Sequence, residues 1–302
     1  MNILSMAGLE GARARRLFCA GRPEPVVLEN FARVFTTALA NPLPQPPPAM
    51  HLSTRLLLRA RTFSTCHASV CTSLSSPLSY DTSWPLASPS PDEVTIAVAG
   101  TGVNFAEILQ TRGLYQEKKE PPFVPGNECA GEVTQVGANV TNLKIGDQVI
   151  CLARGNGYAS HVTSSSASCI KLPDSARSKD LTEAAALMVN YGTAHLALTS
   201  RANLQPNEHV LVTAAAGGVG LAACELATLM GAGSVIAACG SDDKITLART
   251  KGAQELGVNY RDLDQVRRRG GLRRCTGGDG VKYVAQNGPR TNAQVFHSFP
   301  LA

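Results

Sequence analysis

The stretch His209-Val-Leu-Val-Thr-Ala-Ala-Ala-Gly-Gly-Val-Gly220 decides the fold of this chain. An apolar run ends there in a glycine-rich turn, and small and apolar residues continue through Leu221–Met230. This order predicts a β-strand, a tight turn and an α-helix, which is the context that a dinucleotide-binding fingerprint requires. We expect Gly217 to permit the turn, Gly218 to let backbone N–H groups approach a pyrophosphate, and Gly220 to let the helix pack on the strand. The helix N-terminus would then face the phosphates with its partial positive charge.

The sequence after this turn alternates between strand and helix patterns. Such alternation predicts βα units and a parallel sheet. The predicted strands are Ser234–Ala238, Glu255–Tyr260 and Val281–Val284, and the predicted helices are Ser241–Lys251, capped by Ser241 or Asp242, and the basic segment Leu263–Arg274. Beyond Val284 we recognise no further βα unit.

The sequence before the turn is rich in short strand patterns. Asp92–Val98, Cys129–Val136 and Gln148–Leu152 are predicted strands separated by turns, and Leu181–Ala197 is helical in pattern. A β-rich domain feeding a doubly wound domain is therefore expected. The predicted division is a leader at 1–72, a β-rich domain at 73–195, a partial dinucleotide-binding domain at 196–284 and a non-matching tail at 285–302.

The leader has the composition of an organellar presequence. No Asp or Glu occurs between Asn30 and Tyr80, and Met50–Thr65 is basic, hydroxyl-rich and amphipathic if helical. These features predict a transit peptide and a mitochondrial location, with a plastid or cytosolic location as alternatives. A second alternative is that translation starts at Met50, with residues 1–49 untranslated or disordered.

Composition excludes several classes of protein. The nine cysteines are odd in number and contain no C-x-x-C pair, which argues against a disulfide framework and a zinc knuckle. The net charge of +5 comes largely from the N-terminal third and from Arg267–Arg274, so we expect no nucleic-acid partner. No apolar run approaches the length of a membrane span.

A series of short blocks then connects the chain to a family. The blocks are Gly102–Glu107, Arg112–Tyr115, Pro122–Glu128 with Gly131, Val136–Gly137, Gly146–Val149, Ala214–Gly220 and Gly257–Tyr260. Together they resemble the medium-chain dehydrogenase/reductase superfamily and, within it, the zinc-free quinone oxidoreductase family. The resemblance covers about residues 73–284. It implies a GroES-like β-rich catalytic domain followed by a Rossmann doubly wound parallel sheet, which looks incomplete here.

The resemblance also bears on metal binding. Zinc-dependent members of the superfamily carry a Cys at the position of Asn104 and a His at the position of Asn127. Asparagine is a poor substitute for either, because zinc sites favour thiolate, imidazole or carboxylate ligands. We therefore expect no metal, and we expect the core cysteines to be small buried hydrophobic residues.

Without a metal, the implied chemistry is hydride transfer from a reduced nicotinamide to a quinone or enone. Such a reaction needs alignment of the reactants and donors for the developing oxyanion. The resemblance assigns acceptor orientation to Asn104 and Tyr115, and it places Thr193 near the nicotinamide. Glu128 is expected to be a structural hydrogen-bonding residue rather than an acid catalyst.

The end of the second strand bears on the choice of cofactor. An NAD site usually places Asp or Glu there to bind the ribose hydroxyls, whereas this strand ends in Ala238–Ser241. That ending leaves room for a 2′-phosphate, so we expect NADPH. The resemblance implies that Lys244 supplies a countercharge and Tyr260 a hydroxyl. The complete predicted cofactor set is Thr193, Ala216, Gly217, Gly218, Val219, Gly220, Ser241, Lys244 and Tyr260.

Two other functions remain open. The first is a mitochondrial-type enoyl-thioester reductase, a relative that places a Tyr proton donor where Tyr115 stands. The second is a non-catalytic, C-terminally truncated fragment, because nicotinamide binds where the two halves of a doubly wound sheet meet. The sequence contains the first half and at most one strand of the second. A homodimer is expected for the family, although the strand that would form the dimer edge is not recognisable.

Overall fold

The computed structural model describes residues 63–174, 181–254 and 257–262, together with the backbone of 281–285 and 294–299. The chain divides into two compact units, Met1–Val189 and Asn190–Ala302. Each unit is described by itself. The predicted presequence up to residue 62 and the predicted helix Leu263–Arg274 lie outside the described residues.

The first unit is built mainly from antiparallel strands. A two-stranded sheet pairs β1 with β2, and a five-stranded sheet has the order β6-β3-β4-β5-β7 within the described part of the chain. The elements are β1 (Phe63–Val70), β2 (Ser79–Ala87), β3 (Glu93–Thr101), α1 (Phe105–Thr111), β4 (Glu128–Val136), β5 (Gln148–Leu152), β6 (His161–Ser165) and β7 (Cys169–Lys171), with 3-10 turns at Ser166–Ser168 and Ala184–Ala186.

The core of this unit explains why these segments are strands. Val94, Ile96, Val133 and Val149 are fully buried and pack in one cluster. Burial of a branched aliphatic side chain contributes roughly 1.5–3 kcal/mol, and such side chains fit the pleated surface of a sheet. The three predicted strands in this region are confirmed as β3, β4 and β5.

The first strand corrects the expected start of the folded region at Ser73. β1 begins upstream at Phe63 and pairs with β2 from Phe63 to Val70. Its residues Cys66, Ala68 and Val70 are buried at alternating positions, as a half-buried strand requires. The alternation is weak in the sequence because the buried side chains are small. The neighbouring residues are rich in hydroxyl groups, so the segment has the composition of a presequence.

The second unit contains a parallel sheet with one antiparallel edge strand. The elements that follow the 3-10 turn Ala184–Ala186 are α2 (Leu187–Leu196), a π-helix (Ala197–Arg201), β8 (His209–Thr213), α3 (Gly218–Leu229), β9 (Ser234–Cys239), α4 (Asp242–Arg249), β10 (Val258–Asn259), β11 (Val281–Ala285) and β12 (Gln294–Phe299). The strand order is β10-β9-β8-β11-β12 among the described strands. β9 is buried along its whole length, which is typical of a parallel strand covered on both faces.

The doubly wound arrangement predicted from the sequence is confirmed for this unit. β8, β9, β10 and β11 pair in parallel, and the predicted helices appear as α3 and α4. β12 was not predicted. It pairs antiparallel with β11, so it extends the sheet by an antiparallel pairing and not by a further βα unit.

Candidate active site

In the first unit, Asn104 occupies the N-cap of α1. Its backbone is extended, and its N–H donates to Glu107 Oε2 over 3.0 Å. An acidic residue three positions after the cap satisfies a backbone donor that the first turn of a helix leaves unpaired. The sequence Asn-Phe-Ala-Glu therefore fixes the start of α1 and the position of the Asn104 side chain.

Glu107 joins Asn104 to the second asparagine identified in the sequence. Its other oxygen, Oε1, accepts a hydrogen bond from the backbone N–H of Asn127 over 2.9 Å. The side chain is almost completely buried. Both carboxylate oxygens therefore bind backbone groups, and Glu107 holds the segments that carry the two asparagines close to each other.

Glu128 is a second buried carboxylate in contact with Asn104. It is fully buried, its Oε1 accepts from Asn104 Nδ2 over 2.8 Å, and its Oε2 accepts from the Val189 N–H over 2.7 Å. Burial raises the pKa of Glu128 to about 7, and the nearby Glu107 carboxylate adds to this rise while the hydrogen bonds oppose it. Gly102 leaves space for the carboxylate, because a Cβ at that position would lie 2.0 Å from Glu128 Oε1.

Tyr115 lies in the loop after α1 and is half-buried. Burial raises the pKa of its hydroxyl, and the carboxylates of Glu117 and Glu107 raise it further. No described hydrogen bond links Tyr115 to Asn104. The two residues belong to the same unit and share Glu107 as a charged neighbour, and the exposed apolar side chains of Val103 and Leu114 flank them in the chain.

Tyr158 was not identified from the sequence. Its hydroxyl is buried and has no hydrogen-bond partner among the described residues. Burial raises its pKa above the usual value, and the carboxylates of Glu107 and Glu128 contribute to the rise. Tyr158 also lines a cavity of about 440 Å³ together with His67, Tyr80 and Val103, but Asn104 and Tyr115 are not among the lining residues.

The part of the chain that the structure describes contains neither a metal-binding cluster nor a membrane-spanning helix. Within residues 63–174, 181–254 and 257–262, no group of three or more His, Cys, Asp or Glu side chains is arranged to hold a metal ion. None of the described helices is long and apolar enough to cross a bilayer.

In the second unit, the glycine turn between β8 and α3 has the geometry of a phosphate cradle. Gly217 is the N-cap of α3, and its N–H donates to Ala214 O over 2.8 Å. A Cβ on Gly220 would lie 2.5 Å from Ala214 O and 2.7 Å from Ala215 Cα. Only glycine therefore allows α3 to approach the turn this closely, and the first amides of the helix are free of intrahelical acceptors.

α2 borders this turn through Asn190, a residue that the sequence did not indicate. A Cβ on Gly218 would lie 2.5 Å from Asn190 Oδ1, so the two residues are in close contact. Thr193 is half-buried and follows Asn190 by three positions. Residues with this spacing share a helix face, so the structure places Thr193 on the face of α2 that borders the glycine turn.

Hydroxyl and basic side chains lie near the end of β9. Ser241 is the N-cap of α4, Lys244 is exposed on its first turns, and Tyr260 is about half exposed. A Cβ on Gly240 would lie 3.4 Å from Tyr260 Oη and 3.2 Å from the Nε of Arg261. Arg261 was missed in the sequence because the predicted third strand ended at Tyr260, immediately before it.

Several known proteins share this architecture. The alcohol dehydrogenase GroES-like domain family matches residues 90–174. The structure also resembles a probable oxidoreductase from Mycobacterium abscessus, with 34% identity and a TM-score of 0.62 over 72% of this chain and 68% of that chain. The chain belongs to the medium-chain dehydrogenase/reductase superfamily. The resemblance stated from the sequence blocks is thereby confirmed.

Two further members of this superfamily are close in sequence or structure. The rat quinone oxidoreductase-like protein 2 is 45% identical over 193 residues, which are 64% of this chain and 54% of that protein. The Escherichia coli quinone oxidoreductase complexed with NADPH is 30% identical, with a TM-score of 0.61 over 72% of this chain and 64% of that chain. The chain thus spans about half the length of the curated relative.

Proposed function

We propose that this chain is the dinucleotide-binding and acceptor-binding portion of a zinc-independent, NADPH-dependent reductase of quinones or conjugated carbonyls. The observation that carries the proposal is the group of Tyr260, Arg261 and Gly240 at the end of β9. A hydroxyl and a guanidinium surround the position where an NAD site would carry an acidic residue. The names of the quinone oxidoreductase relatives support the same reaction class.

The residues of the second unit fit the cofactor. The turn from Ala216 to Gly220 would hold the pyrophosphate with backbone N–H groups and the N-terminus of α3. Ser241, Lys244, Tyr260 and Arg261 would bind the 2′-phosphate, and Thr193 would contact the nicotinamide end. When bound, the cofactor supplies the hydride, and the protein contributes binding and orientation.

The residues of the first unit would orient the acceptor. Nδ2 of Asn104 carries two hydrogens, and the bond to Glu128 uses one of them. The second has no described partner and is a donor for the oxygen of a quinone or enone, on which negative charge develops during reduction. Tyr115 provides a hydroxyl, and the exposed side chains of Val103, Phe105 and Leu114 provide an apolar surface.

A comparison of acceptors tests this function directly. The purified chain is mixed with NADPH, and oxidation is followed at the nicotinamide absorbance with a soluble quinone, with an enone and with crotonyl-CoA. We expect turnover with the quinone or the enone. Turnover with the thioester alone would establish the enoyl reductase alternative. Binding of NADPH without turnover of any acceptor would establish the non-catalytic alternative.

The basic residues at the end of β9 allow a test of cofactor choice. We expect Lys244→Ala and Arg261→Ala each to raise the Kd for NADPH about tenfold, which corresponds to the loss of about 1.4 kcal/mol. The Kd for NADH should be unchanged, because NADH has no 2′-phosphate. Fluorescence titration with both nucleotides measures this. Arg249→Ala, at the far end of α4, serves as the matched control, and equal losses for the two nucleotides would contradict the assignment.

A further inference from the structure

Asn104 has a polar partner whose chemistry fixes the direction of its amide. A carboxylate accepts hydrogen bonds and cannot donate them, so the Asn104 amide must turn Nδ2 and not Oδ1 toward Glu128. Glu128 is itself immobilised, because its Oε2 is bound to the Val189 N–H and Gly102 packs against its other oxygen. The orientation of Asn104 is therefore set by a group that cannot rotate away.

The neighbouring carboxylate, Glu107, does not orient the side-chain amide of Asn104. Both oxygens of Glu107 accept from backbone N–H groups, those of Asn104 and Asn127. Glu107 thus shapes the segments that carry the two asparagines, whereas Glu128 touches the Asn104 side chain itself. Glu107 therefore stabilises the backbone of the site, whereas Glu128 controls the direction of the Asn104 amide.

We propose that Glu128 is a positioning residue that directs the second Nδ2 hydrogen of Asn104 toward the acceptor, and that protonation of Glu128 releases this amide. The effect on turnover rests on the proposed function of Asn104. The effect on the Asn104 amide does not, because the contact lies wholly within the first unit.

The protonated state follows from counting donors. Ionised Glu128 accepts from Asn104 Nδ2 on Oε1 and from the Val189 N–H on Oε2. A backbone hydrogen bond from Met188 adds a further donor. When the carboxyl gains a proton, one oxygen becomes an O–H and can no longer accept in the same direction. The Val189 donor belongs to the backbone and cannot turn, whereas the Asn104 amide is a side chain that can. We therefore expect the Asn104 bond to be the one that is lost.

The groups around Glu128 favour protonation near neutral pH. Burial raises its pKa to about 7, and the negative charge of Glu107, which faces it from α1, acts in the same direction. Tyr158, from the segment before β6, and Cys129, the next residue of β4, also lie near it. Burial raises the pKa of Tyr158, and the hydrogen bond with Cys151, together with burial, raises the pKa of Cys129. Both are therefore neutral in this range, so they do not add charge.

Nuclear magnetic resonance of the side-chain amides provides the decisive test. In the full chain labelled with ¹⁵N, we expect the Asn104 Nδ2 resonances to move with pH and to show a midpoint near 7. Glu128→Gln should abolish this movement, because the new amide places a donor opposite Nδ2 and does not titrate. Asp147→Asn, which alters another buried carboxylate, should leave it unchanged.

Kinetics add a second measurement. We expect kcat to fall about tenfold as the pH is lowered through 7, which is the effect of losing one hydrogen bond of ordinary strength. Asn104→Ala should lower kcat by a similar factor and remove this limb of the pH profile. Asn104→Ala and Glu128→Gln combined should cost no more than either alone, since Glu128 acts through Asn104.

The outcomes separate the two proposals. Asn104 resonances that ignore pH in the wild-type chain, or additive losses in the double variant, would overturn the positioning role. If Glu128→Gln does not fold, the pH profile of Asn104→Ala decides: a retained limb would contradict the proposal. A titrating amide in a chain that reduces no acceptor would leave the positioning contact intact and refute only the proposed function.

Discussion

Replacing Gly220 with alanine is expected to prevent NADPH binding and to lower the free energy of unfolding of the second unit by about 3 kcal/mol. The added Cβ would lie 2.5 Å from Ala214 O and 2.7 Å from Ala215 Cα. Both are backbone atoms, and Ala214 O already accepts from the Gly217 N–H. The clash can be relieved only by moving α3 away from the turn, which separates the amides that would hold the pyrophosphate.

Urea unfolding and a fluorescence titration with NADPH measure the two effects. Gly231→Ala is the matched control, because Gly231 follows the other end of the same helix and has a φ of +84°. The nearest atom to a Cβ added at Gly231 would be Pro206 Cβ at 3.9 Å. Alanine there therefore costs about 1 kcal/mol of backbone strain and causes no clash. We expect that variant to bind NADPH normally. A Gly220→Ala chain that binds NADPH with unchanged affinity would contradict the assigned cradle.

The strand, glycine turn and helix around Gly217 could be predicted because their signal is local. Strand, glycine turn and helix follow one another within His209–Met230, so a single window of sequence contains the whole motif. The structure places β8, the turn and α3 where the pattern predicted them. The strands β9 and β11 were found for the same reason, since each is a short segment composed mainly of apolar residues.

Five of the described strands were not predicted, namely β1, β2, β6, β7 and β12, and the first and last of them show what signal was lacking. β1 carries Cys66, Ala68 and Val70 on its buried face, and these small side chains give a weak alternation among Ser, Thr and His. The strand exists because β2 offers a complete antiparallel partner. β12 likewise depends on its pairing with β11. Such strands form because they pair with segments that are distant in the sequence. The local composition of the chain does not reveal this pairing.

Only some residues of the candidate site could be predicted from the sequence, and their contacts could not. Asn104 and Tyr115 were found through sequence blocks. The bond between Asn104 and Glu128 spans 24 residues, and the contact between Asn190 and Gly218 joins α2 to the glycine turn. Neither follows from spacing along the chain. Glu128 was expected to be a structural hydrogen-bonding residue, and its direct contact with the Asn104 amide gives that expectation a specific partner.

The free energy of unfolding should fall as the pH rises through the range in which Glu128 loses its proton. Its pKa in the folded chain is about 7, against an ordinary value of 4.5. The proton on Glu128 therefore stabilises the fold fully below about pH 4.5, and this contribution is lost as the pH rises through 7. Between about pH 5 and pH 8, the wild-type chain should lose about 2 kcal/mol relative to Glu128→Gln, which carries no titrating group at this position. Urea unfolding of both chains across this range measures the difference.

Asp147 provides a control of opposite sign in the same unit. It is also buried, and burial alone would raise its pKa, but hydrogen bonds from Lys171 Nζ and the Lys144 N–H outweigh burial and lower the pKa below 3.8. Its contribution to stability is present above that value and is lost only in stronger acid. The difference between wild type and Asp147→Asn should therefore stay constant between about pH 5 and pH 8. A constant difference for Glu128→Gln as well would mean that Glu128 is ionised throughout this range, and the Asn104 amide would then be held at every pH.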